Sequence, residues 1–169
     1  MSKALLELNK FKYFISIAAY IFAEAAHAGQ FRADNKTNYR VHLNEVAHQL
    51  DDWGIHDDFH LSIALLHDTI EKTSATYSQL YTIFGEKIAD AVKLISYNEN
   101  EMTEQQYFEL NKNNVVKLAD HICNTRFFMS NNIRDPKKYY EKGMVLINNF
   151  RNKSPYKETI EEIENDLNN

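Results

Sequence analysis

The feature that most constrains the fold is a histidine-aspartate doublet, His67-Asp68, set within an apolar pattern. Apolar residues recur around it at three- and four-residue steps, the spacing of a buried helix stripe: Phe59, Ile63, Leu66 and Ile70. Burying a polar side chain costs free energy unless the side chain finds a partner, and a metal ion can be that partner. The pattern therefore predicts a helix that carries the doublet into the core.

Residues that break regular structure are rare in the chain, which has 4 Gly and 2 Pro among 169 residues. Helices tolerate few such residues, whereas a sheet with many turns needs more of them. The length fits one domain with a sizeable core. We therefore predict an all-α fold in a single domain, residues 1–169, built as a helical bundle with a metal site in its centre.

Charge and composition restrict the partners. The formal net charge of −5 gives no general attraction to nucleic acid backbones or anionic membranes. Polar residues interrupt any apolar signal-peptide core near the start of the chain, and no run of ~20 apolar residues occurs. The single cysteine, Cys123, cannot form an internal disulfide, which agrees with a reducing compartment. We expect a soluble, cytoplasmic protein that binds neither membranes nor double-stranded nucleic acid; the oligomeric state is left open.

Apolar periodicity also predicts the order of the helices. A polar loop at 30–39 is expected to be functional. A polar segment at 98–114 is expected to be a mobile surface segment with a helical turn around 105–110, and it could cover a pocket. The predicted longer helices span about 4–27, 41–52, 58–73, 115–129 and 137–150.

The chemistry of the doublet indicates a metal site, because an imidazole nitrogen and a carboxylate oxygen together suit a borderline divalent cation. Two ligands are too few, and His42 and Asp120 are the best additional candidates. A lone histidine such as His42 is more often structural, but its place ahead of the doublet favours a ligand. Asp has a low helix propensity, so Asp120 within a helical pattern favours a functional role. His48, His56 and His60 are interpreted as surface or structural residues, and His121, adjacent to Asp120, is left out of the ligand set.

Several blocks of sequence contain or flank these candidate ligands, which follow one another as His42, His67-Asp68 and Asp120. They are Ala26–Arg32, Tyr39–His42, Ala64–Thr73 and Val116–Asp120 followed by Asn124 and Arg126, with a weaker block at Phe84–Val92. Together they resemble the HD-domain metal-dependent phosphohydrolases. They are most similar to the hydrolase domain of RelA/SpoT-type alarmone enzymes, in particular the small stand-alone hydrolases.

The resemblance implies hydrolysis of the 3′-pyrophosphate of guanosine tetra- and pentaphosphate, (p)ppGpp, to GDP or GTP and pyrophosphate. The substrate partner would be a guanine nucleotide, and the cofactor would be Mn²⁺ or another divalent cation. Glu71 would be the catalytic residue that orients or deprotonates water, or a carboxylate that holds His67. Arg32 would bind phosphate and Asn124 would contact substrate. The implied metal ligands are His42, His67, Asp68 and Asp120.

Two positions depart from the family's pattern. Lys72 stands where the family has an acidic residue, and we expect it to pair with Asp68 or to bind a substrate phosphate. Ala33 replaces a second basic residue, for which Lys36 or Arg40 could compensate. These departures keep two alternatives open: an HD phosphohydrolase that acts on another nucleotide or RNA-end phosphate, and a catalytically degenerate module that binds alarmone.

Overall fold

The computed structural model describes residues 13–169, and this part of the chain is helical, with one isolated antiparallel bridge between Phe31 and Asn38. The predicted all-α class is confirmed. Residues 4–12 of the predicted first helix lie outside the described residues. The helices are α1 (Phe14–Ala26), α2 (Tyr39–Asp52), α3 (Asp58–Leu66), α4 (Thr69–Lys72), α5 (Tyr77–Phe84), α6 (Glu86–Ile95), α7 (Glu104–Leu110), α8 (Val115–Asn131), α9 (Pro136–Lys142), α10 (Met144–Phe150) and α11 (Tyr156–Asn168).

Helix α3 is the central element of the bundle. It packs against α1, α2, α6 and α8, and α2 also packs against α8. Its last five residues, 62–66, are buried. Apolar side chains from all these helices form one core, so the chain segment that follows α3 starts from a position fixed on several sides.

The predicted helix over 58–73 is interrupted at the doublet. Helix α3 ends at Leu66 and α4 begins at Thr69, so His67 and Asp68 lie in the turn between them. The hydroxyl of Thr69 donates to the carbonyl of Leu66 at 2.7 Å. Hydroxyl side chains compete in this way with the helical hydrogen-bond pattern. The doublet is therefore carried by a turn held at both ends by helices.

The predicted helix over 137–150 is also divided, at Gly143, into α9 and α10. The cause is a close approach to α8, because a Cβ at Gly143 would lie 2.4 Å from Nε2 of His121. Glycine allows this contact. The start of α9 agrees with the prediction, with Asp135 accepting from the backbone N–H of Lys138 at 3.0 Å.

The segment at 98–114 is more structured than its polar composition predicts. Thr103 and Gln106 form a capping box at the start of α7, a motif that satisfies the free N–H groups of a helix start. Tyr107 and Phe108 are buried. Two aromatic side chains in a polar segment were too few to establish periodicity, although they attach it to the core.

None of the helices within residues 13–169 is long and apolar enough to cross a membrane.

Candidate metal centre

The structure brings the four predicted ligands together from three parts of the chain. His42 comes from α2, His67 and Asp68 from the turn after α3, and Asp120 from α8. Nε2 of His42 lies 3.2 Å from Nε2 of His67 and 3.1 Å from Oδ1 of Asp120. Nε2 of His67 lies 3.2 Å from Oδ2 of Asp68. All four residues are buried, so their ligand atoms converge inside the protein.

A divalent cation fits this donor set. Nδ1–H of His67 donates to the carbonyl of Ala64 at 2.7 Å, which leaves the lone pair of Nε2 directed at His42. A backbone acceptor of this kind commonly fixes the tautomer of a metal-binding histidine. Two unprotonated ring nitrogens at 3.2 Å would repel each other unless a cation or a proton lies between them. Two nitrogens with two carboxylates suit a borderline divalent ion.

The electric field at the cluster also favours a cation. Burial alone would lower the pKa of His67, but the carboxylates of Asp68 and Asp120 outweigh it and raise the pKa to about 10. Burial alone would raise the pKa of Asp68, but His67 and Lys72 hold that pKa well below its usual range. The carboxylates therefore remain charged and attract positive charge to the space between the rings.

Asp68 has two further partners, one of them not predicted. The hydroxyl of Tyr39 donates to its Oδ2 at 2.5 Å, and Nζ of Lys72 donates to its Oδ1 at 2.9 Å. The pairing of Lys72 with Asp68 is thus observed. Tyr39 precedes His42 by three residues, so helical spacing on α2 places both on one face. That spacing was a signal that could have identified Tyr39.

Asp120 is held by two neighbours from its own helix. Nζ of Lys117 donates to Oδ2 at 2.7 Å, and the amide of Asn124 donates to Oδ1 at 2.6 Å. Burial alone would lower the pKa of Lys117, but Asp120 outweighs it and raises the pKa well above the usual range. Sequence reasoning missed Lys117, although its three-residue spacing from Asp120 on a helix predicts such contact.

Arg32, predicted to bind phosphate from the polar loop, is buried inside the protein. Its guanidinium donates to Glu45 at 3.0 Å and to Oδ1 of Asn124 at 2.7 Å. It also stacks 3.6 Å above the ring of Phe127. Because Asn124 in turn holds Asp120, Arg32 orients a candidate ligand through one intermediate residue.

Glu71 lies near the cluster but makes no direct hydrogen bond to His67. Its Oε2 accepts from the backbone N–H of Tyr97 at 2.7 Å, and its Oε1 lies 4.0 Å from Nζ of Lys72. The alternative in which Glu71 holds His67 is not observed, because Ala64 occupies Nδ1 of that ring.

One pocket of about 350 Å³ opens onto this arrangement, within the range of roughly 300–1,000 Å³ that small-molecule sites occupy. The lining includes the acidic residues Asp68, Glu71 and Asp120. It also includes Lys72, Arg32 and Asn124. Arg134 also lines the pocket, with its guanidinium 5.0 Å above the ring of Phe128. The pocket therefore combines carboxylates with several cationic side chains.

Four further histidines lie outside the cluster. His48 is exposed, while His56 pairs with Asp51 and His60 with Asp57. Nε2–H of His121 donates to the carbonyl of Tyr140 at 3.1 Å. Burial lowers the pKa of His121 to about 4, so the ring is neutral and structural.

Neither residue suggested to compensate for Ala33 lines the pocket. Arg40 pairs with Glu24 at 2.8 Å on the surface. Lys36 lies in a turn in which Asp34 accepts from the backbone N–H groups of Lys36 and Thr37. Ala33 itself lies at the pocket, where it leaves space that a longer side chain would fill.

Comparison with known proteins identifies the family to which this chain belongs. The sequence model described as HD domain matches residues 19–115, which is more than half of the chain. The chain is 41% identical over 75 residues to the GTP pyrophosphokinase rsh of Brucella ovis, covering 44% of this chain and 10% of that protein. It is 40% identical over 78 residues to the bifunctional (p)ppGpp synthase/hydrolase SpoT of Escherichia coli K12, covering 46% and 11%.

The chain thus spans about a tenth of the length of these relatives. A solved structure described as a metazoan ortholog of SpoT that hydrolyses ppGpp superposes with a TM-score of 0.76 and 23% sequence identity, covering 89% of this chain and 94% of that one. This likeness shows a shared fold. With the family match and the convergent histidines and aspartates, it establishes that the chain belongs to the HD domain family.

Proposed function

We propose that this protein hydrolyses the 3′-pyrophosphate of (p)ppGpp, releasing pyrophosphate and leaving GDP or GTP. The observation that carries the proposal is the convergence of His42, His67, Asp68 and Asp120 beside a pocket with cationic side chains. The relatives named for (p)ppGpp synthesis and hydrolysis support this choice of substrate among phosphorylated nucleotides.

The four side chains would hold one divalent ion, which we propose to be Mn²⁺. When bound, such an ion lowers the pKa of water and polarises a phosphoryl oxygen. Each carboxylate has a lysine partner and a hydroxyl or amide partner. These contacts keep the carboxylates ionised and fix their orientation before substrate arrives.

Glu71 is the proposed catalytic residue. Its carboxylate lines the same pocket as Asp68 and Asp120 and is held by the backbone of Tyr97. A carboxylate within reach of the reacting water can orient it and accept its proton. The Tyr97 N–H would limit the orientations of Glu71 to those that face the pocket.

The proposed substrate contacts in this pocket are Arg32, Asn124 and Lys72. Arg32 and Asn124 already hold each other, so they would present a fixed pair of polar groups. Arg134 extends this set, because it lines the pocket and its guanidinium pairs with no carboxylate among residues 13–169. A guanidinium binds phosphate through several N–H donors, so Arg134 would bind a phosphate of the nucleotide.

The proposal includes a cytoplasmic location with a guanine nucleotide as partner. The buried thiol of Cys123 agrees with a reducing compartment.

The direct test incubates purified protein with ppGpp and Mn²⁺ and separates the nucleotides by anion exchange. We expect GDP and pyrophosphate in equal amounts, and none above background with the His67→Ala variant. A phosphate-release screen over other nucleotides and 3′-phosphorylated RNA ends belongs to the same experiment. Turnover of another substrate with ppGpp intact would contradict the proposed substrate.

The contact of Lys72 with Asp68 favours a second candidate, an alarmone-binding module with no turnover. The ammonium group of Lys72 stands at the position where the family has an acidic side chain. Under this alternative, wild type would bind ppGpp tightly without hydrolysis, and Lys72→Asp would gain turnover. Hydrolysis by wild type that falls in Lys72→Asp would exclude the binding module.

A further inference from the structure

We propose that Lys72 lowers the affinity of the centre for its divalent cation, and that binding of an anion in the pocket relieves this effect. The inference rests on the proposed metal centre and adds to it a residue that sets metal affinity. Lys72 would thereby make metal binding and substrate binding depend on each other.

The first argument is the occupancy of Asp68. Lys72 Nζ lies 2.9 Å from Oδ1, and the Tyr39 hydroxyl lies 2.5 Å from Oδ2. Both oxygens of this ligand therefore have hydrogen-bond donors already. A cation that binds Asp68 must share the carboxylate with the ammonium group or displace it, and both cost free energy.

The second argument is the balance of charge. Asp68 and Asp120 contribute two negative charges, while Lys72 and Lys117 contribute two positive charges at 2.9 and 2.7 Å from those carboxylates. With both histidine rings neutral, as binding of an ion through Nε2 requires, the charges of these four side chains sum to zero. A divalent ion then leaves a buried excess of two positive charges, which is unfavourable in a site of low dielectric constant unless an anion follows.

The third argument is the difference in exposure between the two lysines. The side chain of Lys72 is 34% exposed, whereas that of Lys117 is 13% exposed. Lys117 also lies 4.9 Å from the ring of Tyr107, so it is confined. Both lysines line the pocket, but only Lys72 has solvent on one side, so Lys72 is the one that can leave its carboxylate for an anion in the pocket.

The two effects form a thermodynamic cycle. An anion that draws Lys72 away from Asp68 raises the affinity for the cation, and by linkage the cation raises the affinity for the anion by the same factor. A substrate with several phosphate groups would meet this condition. The site would then fill with metal mainly when nucleotide is present.

The experiment titrates Mn²⁺ into metal-free protein and measures free Mn²⁺ by electron paramagnetic resonance, without any substrate. We expect Lys72→Gln to bind Mn²⁺ at least tenfold more tightly than wild type. Lys112→Gln is the matched control, because Lys112 also pairs with a nearby carboxylate in sequence, that of Glu109, but on the surface. The Mn²⁺ affinity of this variant should equal that of wild type. Thermal unfolding of each protein in chelator verifies the fold.

A second titration adds sulfate as the anion probe. Sulfate should tighten Mn²⁺ binding in wild type and leave Lys72→Gln unchanged. Equal or weaker Mn²⁺ affinity in Lys72→Gln, or no effect of sulfate on wild type, overturns the inference while leaving the metal centre in place. Absence of Mn²⁺ binding in all three proteins would instead overturn the centre itself and the proposed function with it.

Discussion

The two sides of the centre hold their carboxylates by similar means but from different supports. Asp120 is held by Lys117 and Asn124, which belong to the same helix α8 and are mostly buried. Asp68 is held by Tyr39 from α2 and by Lys72 from the short helix α4. Both lysines line the pocket, but the side chain of Lys72 is 34% exposed and that of Lys117 is 13% exposed. The α8 side is thus a preformed support, and the α4 side is where ligand, solvent and protein compete for one carboxylate.

His67 lies between the two sides, 3.2 Å from Asp68 and 3.5 Å from Asp120, so its loss should have the largest effect. We expect His67→Ala to abolish Mn²⁺ binding and ppGpp turnover together, measured by equilibrium dialysis and nucleotide chromatography. His60→Ala is the control, because His60 also pairs with an aspartate but on the surface. Turnover retained in His67→Ala would show that the cluster is not the reaction centre.

The lysines provide the next comparison, in protein kept metal-free with chelator. Lys117→Met leaves a buried carboxylate without its cation, which should lower the free energy of unfolding by about 3–5 kcal/mol. Lys72→Met should cost about 1 kcal/mol or less, as for a partly exposed ion pair, because the side chain of Lys72 is 34% exposed and that of Lys117 only 13%. Urea denaturation measures both values. Equal losses would mean that the two sides are equally preformed.

Arg32 tests whether the support of Asp120 extends beyond α8. Arg32→Gln removes the donors to Glu45 and Asn124, and loss of such an outer contact typically lowers metal affinity or activity by about 10–100-fold. Arg32→Lys should recover only part of this, because one ammonium cannot replace the two-pronged guanidinium. The Mn²⁺ titration separates this positioning role from substrate contact, since a residue that contacts only substrate would leave metal affinity unchanged.

Gly143 lies outside the metal centre and sharpens the account of the α8 side. A Cβ at this position meets Nε2 of His121 at 2.4 Å, so Gly143→Ala should lower the free energy of unfolding by about 1–3 kcal/mol through overpacking. The same change made in a His121→Ala background should cost less, because the ring is gone. A double-mutant cycle by urea denaturation measures this coupling, and full additivity would contradict the clash.

The four candidate ligands could be predicted from sequence because the ordered motifs resemble the HD-domain family and because polar residues inside an apolar helical pattern need partners. His42, His67, Asp68 and Asp120 are all buried, as that reasoning requires. The role of Arg32 could not be predicted from sequence, since its partner Asn124 lies 92 residues away and only the packing of the loop against α8 brings the two residues together. Helical spacing near Asp120 did contain the signal for Lys117.

Apolar periodicity could not predict the breaks in the helices, for a similar reason. Apolar residues on both sides of the doublet share one face, so the pattern reads as continuous through His67 and Asp68 although the chain forms a turn there. The division at Gly143 depends on the ring of His121 from another helix. Local sequence predicts the elements, whereas contacts between distant elements decide where they end.

The most direct test of the metal centre is a crystal structure of the protein grown with saturating Mn²⁺, with anomalous diffraction used to locate the ion. We predict one ion bound by Nε2 of His42, Nε2 of His67 and carboxylate oxygens of Asp68 and Asp120. Absence of anomalous density between these side chains, or an ion bound only elsewhere, would contradict the account.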